Sequence, residues 1–150
     1  MSEDEARIAR IAEVGTRHAT AEATGTLEEI MATLAPDPVY EFHPLGKGMR
    51  GTDVVRRFYT QYYERYAPLN EAYRLVGEWV SHSGVTQEYD IWLRVDGVRE
   101  YHRVVGILTP DASGSLLSGE RVYSSELYVR RLVGDEIFAE LEALAEPEPG

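Results

Sequence analysis

Tyr40-Glu41-Phe42-His43-Pro44-Leu45-Gly46, then Lys47 to Arg50, then Gly51-Thr52-Asp53-Val54-Val55-Arg56-Arg57-Phe58-Tyr59 is the stretch that decides how this 150-residue chain is read. It opens as a short strand and is stopped by Pro44, which has no N–H to give to a ladder. It then crosses two glycines and restarts as a helix behind Thr52. His43 stands at the break. A titratable side chain held by a rigid strand beside an open loop is a place for chemistry, and a neutral imidazole takes a proton near pH 7 without the tuning a carboxylate base needs. The structural alternative is an imidazole that caps the turn by hydrogen bonding. Alternation along the strand sets Val39, Glu41 and His43 on one side and Tyr40 and Phe42 on the other.

Outward from that stretch, the chain reads as helices before it and strands after it. Ile8, Ile11, Gly15, His18 and Glu22 fall at helical spacing, giving a first helix over 5–24 with a narrow, small-residue face. Thr26 and Glu29 form a capping box for a second helix, whose buried stripe is Leu27, Ile30, Met31 and Leu34, ended by Pro36-Asp37-Pro38. A third helix is expected from about 53 to 66, with Pro68 closing it. Beyond Asn70, turn signals divide four strands at about 72–81, 85–95, 98–109 and 115–129.

Asp96-Gly97 reads as a two-residue hairpin turn, so Val95 pairs with Val98 and the register of the whole pair is fixed. That register sets Asp90 against Arg103 and Trp92 against Tyr101, an ion pair and an aromatic pair of the kind that stabilises sheets. The other face then carries Gln87, Tyr89, Ile91, Leu93, His102 and Val104. If the loop at 110–114 is simple, Leu116, Ser118, Glu120 and Val122 join this face; a one-residue slip would replace Glu120 by Arg121. Asp135 is expected to cap a short helix, and residues 146–150 to be a disordered tail.

One domain over 1–145 is expected for this length, with 43% hydrophobic residues to build its core. The net charge of -11 belongs to the ends: residues 1–36 hold 7 acids against 3 bases, residues 132–150 hold 6 acids and no base, and the middle is nearly balanced. Without clustered Lys and Arg, neither nucleic acid nor an anionic membrane is an expected partner. There is no cysteine, which excludes disulfides and thiolate metal sites. The acidic N-terminal residues lack a basic segment followed by an apolar run, so a cytoplasmic protein is expected.

Two N-terminal helices, a strand ending in His43-Pro44-Leu45-Gly46, then Arg50-Gly51 and a helix ending Phe58-Tyr59 resemble the nuclear transport factor 2-like superfamily. Within it the likeness is to the SnoaL-like polyketide cyclases and ketosteroid isomerases, best over residues 11–59. The resemblance implies an α+β cone: a curved, mostly antiparallel sheet packed against three N-terminal helices, the cystatin-like fold. It also implies a homodimer through the outer sheet face, near Trp92, Tyr101, Tyr123 and the Asp90–Arg103 pair. That fold hosts isomerases, cyclases, dehydratases and domains that bind without catalysis, so function must be argued from the site.

By this resemblance His43 takes the place of the isomerases' catalytic aspartate, as general base, and His18 that of the tyrosine which donates to the oxyanion; Tyr40 is a weaker donor candidate. Phe42, Phe58, Tyr59, Tyr62, Tyr89, His102 and Glu120 are the expected pocket wall, with His102 and Glu120 either a base with its orienting carboxylate or a satisfied polar pair. His18, His43 and His102 come from separate elements with no short ligand motif, so no metal is expected, and no cofactor. Two functions stand open: a small enzyme acting by general acid/base catalysis on a hydrophobic, carbonyl-bearing metabolite, and an accessory domain that shelters such a ligand.

Overall fold

A computed structural model describes residues 1–150. Ser2 starts α1 (Glu3–Thr24) through a reciprocal capping box with Glu5, and Thr26 caps the one-turn α2 (Leu27–Met31). Next come β1 (Leu34–His43), β2 (Lys47–Arg50) and α3 (Thr52–Gln61), which runs on through a π turn, Tyr62–Tyr66, and a 3₁₀ turn, Ala67–Leu69. The strands β3 (Asn70–Ser81), β4 (Gly84–Val95), β5 (Val98–Pro110) and β6 (Leu117–Tyr123) follow. The chain ends with α4 (Glu126–Val133), α5 (Asp135–Glu140) and β7 (Glu142–Ala143). No helix is long and apolar enough to cross a membrane.

The seven strands form one sheet in the order β3-β4-β5-β6-β1-β2-β7. Every pairing is antiparallel except β1 with β6, which sets Tyr40 beside Glu120 and Phe42 beside Val122. The helices cover one face of this curved sheet. Along α1, Ile11, Val14, Gly15, His18 and Ala21 are buried, and Gly15 allows the closest approach: a Cβ there would stand 2.9 Å from Val85 Cγ2.

The hairpin register expected from Asp96-Gly97 is the one observed, with Val95 opposite Val98, Asp90 opposite Arg103 and Trp92 opposite Tyr101. Asp96 and Gly97 both have positive φ, as the tight turn requires. Asp90 gains more than its expected partner: Arg74, Arg103 and Tyr101 all donate to its carboxylate.

Three expectations for the elements need correction. The second helix stops at Met31, and β1 begins at Leu34; Pro36 and Pro38 lie where its pairing shifts register, so their missing N–H groups cost no ladder bond. The last long strand ends at Tyr123, because Ser125 accepts from Tyr128 N–H and starts α4. Asp135 is the first residue of α5 and does not cap it; Gly134 holds that position without a side-chain bond.

Candidate functional site

A cavity of about 680 Å³ opens between α1, the turn after α3, the inner face of β4–β5–β6–β1 and α4. Its walls are mostly apolar and aromatic, with Phe58, Tyr62, Tyr66, Tyr89, Ile91 and Val104 among them. Its polar end is built from three elements. His18 and Glu22 lie one turn apart on α1, Tyr40 comes from β1, and Glu120 from β6. Tyr59, on α3, stands behind them, fully buried.

The hydrogen bonds select the tautomer of His18, which is only 1% exposed. Thr33 Oγ1 spends its one proton on the carbonyl of Ile30 at 2.7 Å, so toward His18 Nδ1, also at 2.7 Å, it can only accept. Nδ1 therefore carries hydrogen, and in the neutral ring Nε2 presents its lone pair to Glu22 Oε1 at 3.1 Å and the Tyr59 hydroxyl at 3.2 Å. Tyr59 also reaches Glu22 Oε1 at 3.3 Å and meets the Tyr40 hydroxyl at 2.5 Å. Burial, then the charge of Glu120, hold the Tyr40 phenol well above the ordinary range; burial does the same for Tyr59. Both are thus donors, and neither is a base.

Glu120 is half-buried, lines the cavity and has no hydrogen-bond partner among the side chains around it. Its carboxyl occupies a niche opened by Gly106, where a Cβ would stand 2.8 Å from Oε1. Burial, reinforced by the charge of Glu22, pushes the Glu120 carboxyl well above the usual carboxylate range. His18, Glu22 and Glu120 each bring a ligating atom within 4.8 Å of the others, so this trio, and not the three histidines weighed from sequence, could hold a cation.

Of the expected site residues, His18, Tyr40, Phe58, Tyr62, Tyr89 and Glu120 line the cavity, and Tyr59 binds its polar end from behind. His43 does not. Tyr40 and Phe42 take the inner side of β1, so alternation turns His43 outward, where Nε2 meets Glu41 Oε1 at 2.9 Å and the ring stacks on Tyr123. Phe42 is wholly buried in the core and does not reach the cavity. His102 pairs with Glu100, not Glu120: Glu120 lies opposite Leu108, six residues along β5 and roughly 20 Å away. Glu22 was missed as a site residue. Its signal was an acid on the buried face of α1, one turn after His18.

Solved structures with this architecture share its sheet and helices over most of their length. A steroid delta-isomerase from Pseudomonas aeruginosa matches with a TM-score of 0.64 at 15% identity, over 88% of this chain and 91% of its own. A Xanthomonas campestris protein of unknown function with a cystatin-like fold matches with a TM-score of 0.66 at 17% identity, over 83% and 98%. The fold is cystatin-like. A Catenulispora acidiphila protein with a ketosteroid isomerase-like fold, in complex with trimethylamine, matches with a TM-score of 0.56 at 18% identity, over 81% and 92%. No protein-family model matches the sequence, and no curated protein does. At these identities the cystatin-like fold is what the likeness carries, as the resemblance over residues 11–59 implies. The parallel β1–β6 pair places Tyr40 and Glu120 side by side in it.

Proposed function

We propose that the protein is a small-molecule enzyme that moves a proton on a hydrophobic, carbonyl-bearing ligand held in the cone, as an isomerase, cyclase or dehydratase does. The observation that carries this is an acid and a base side by side at the polar end of an otherwise apolar cavity. Glu120 is raised toward the protonated form, and the neutral His18 ring presents its Nε2 lone pair beside Glu22. A protonated carboxyl beside a free ring nitrogen divides the site into a donor and an acceptor.

In this reading His18 Nε2 takes a proton from the ligand, and Glu22, 3.1 Å away, stabilises the imidazolium that results. Negative charge developing on the ligand's oxygen is met by the Tyr40 hydroxyl, with Tyr59 supplying the next hydrogen bond in the chain. Glu120 returns a proton. The apolar walls keep water from competing for it. Steroid delta-isomerase is the activity of one structure of similar fold, which favours a proton-transfer reaction without naming this chain's substrate.

The test is turnover of a ligand recovered with the protein by native mass spectrometry. Glu120→Gln and His18→Ala are each expected to lose about 10²–10⁴-fold in kcat. His43→Ala is expected to retain full activity. Unchanged kcat in both cavity variants would leave a ligand-binding domain without catalysis.

A further inference from the structure

The polar end of the cavity has more acceptors than protons. Thr33 accepts from His18 Nδ1, so in the neutral ring Nε2 is a lone pair, and the carboxyls of Glu22 and Glu120 add four oxygens. Against these stand the proton toward which Glu120 is held and two phenol protons. That of Tyr40 or Tyr59 is spent between the two hydroxyls, leaving one for Glu22 or His18 and none for Glu120. Glu120 therefore faces the cavity with no donor from the protein beside it.

The charge points the same way. No Lys or Arg lines the cavity. Of the three acids that do, Glu71 is held by Arg94 at 2.9 Å and Arg99 at 3.2 Å, while Glu22 and Glu120 meet no arginine or lysine. Burial above all raises the Tyr62, Tyr66, Tyr89 and Tyr128 phenols, and the charge of Glu22 adds to it at each, with no cation opposing it. A cleft of one sign with low-dielectric walls concentrates the opposite charge. The same tyrosines, with Phe58, offer ring faces, to which cations are attracted within about 6 Å.

We infer that the ligand carries a primary amine, bound as the ammonium with its three N–H groups directed to His18 Nε2, Glu22 and Glu120, and with its apolar body against the aromatic wall. The acceptor atoms lie within 4.8 Å of one another, a span that one nitrogen bridges with hydrogen bonds of about 2.8 Å. This rests on the cavity being a ligand site and not on turnover: while the ammonium is seated, His18 Nε2 and Glu120 hold it and do not serve as base and acid. Binding ionises Glu120, because the ammonium supplies the positive charge that its surroundings lack.

Calorimetric titration of the full chain at pH 7 with three probes of one shape tests it: 2-phenylethylamine, 2-phenylethanol and 3-phenylpropionate. The amine is expected to bind at least ten-fold more tightly than the alcohol, and the carboxylate not at all. Glu120→Gln, which removes a charge without adding bulk, should weaken the amine ten-fold or more and leave the alcohol within two-fold. Equal affinity for amine and alcohol in the parent, or a Glu120→Gln variant that discriminates between them as well as the parent does, overturns the amine while leaving the cavity a ligand site. Failure of all three probes counts against both readings. Stoichiometric binding of Zn²⁺ or Mn²⁺ alone that displaces the amine would assign the three acceptors to a metal, and that too overturns it.

Discussion

Gly106 and Glu120 are diagonal neighbours on β5 and β6, and the missing side chain of the first makes room for the carboxyl of the second. A carboxyl kept there carries a stability cost that depends on pH. Its pKa is raised in the folded chain, so below the unfolded value of about 4.3 it is protonated in both states and costs nothing. As pH climbs through and beyond that value the unfolded chain releases the proton first, and stability falls until the folded pKa is reached. Glu120→Gln is therefore expected to melt about 2–4 °C higher than the parent at pH 7, the shift that ~1 kcal/mol produces in a chain of this size. The gap should close below about pH 4. A scan of melting temperature against pH checks both the sign and the closing point; a variant less stable at pH 7 contradicts it.

Ser125 belongs to the scale of whole elements. Its hydroxyl accepts the N–H of Tyr128 at 3.0 Å and so turns the chain out of β6 into α4, the helix that brings Tyr128 and Leu132 to the cavity. Ser125→Ala is expected to lose about 1 kcal/mol in urea denaturation, the usual value of such a cap. The signal was present in the sequence: Tyr128, Val129, Leu132 and Val133 repeat at helical spacing. It was overridden by the β-branched and aromatic run through Val122 and Tyr123, which reads as strand. The β4–β5 register, by contrast, was legible because a two-residue turn leaves one solution. Glu120 fell on the expected face although the loop before it is longer. The irregularity was absorbed between Thr109 and Pro110, and it is Leu117, not Leu116, that is buried. For β1 the alternation was right but did not say which side the helices would cover. The choice of His43 came from its place at the break after the strand and from the Pro-x-Gly resemblance, and the buried side proved to be that of Tyr40 and Phe42.

At the scale of the molecule, the outer face of the sheet remains to be partnered. Tyr101 is 52% exposed and Tyr123 41%, on either side of the Asp90 network, with Trp92 packed against Tyr101. The C-terminal segment does not cover them, since β7 pairs with β2 at the far edge of the sheet. We expect a second copy of the chain to do so, as exposed aromatics clustered beside a satisfied ion pair are more typical of an interface than of solvated surface. Sedimentation at micromolar concentration should return a dimer that Tyr101→Glu dissociates; a monomeric parent ends the expectation.

The parallel pair of β1 and β6 also orders events in time. β3, β4 and β5 are joined by tight turns and can zip together locally, but Tyr40 and Glu120 are 80 residues apart and meet only once the intervening chain has been closed into a loop. His18 adds a third, still earlier point of the chain. The place where the ligand would be gripped is thus among the last parts of the molecule to assemble during refolding, and recovery of binding would report completion of the fold where recovery of sheet signal would not.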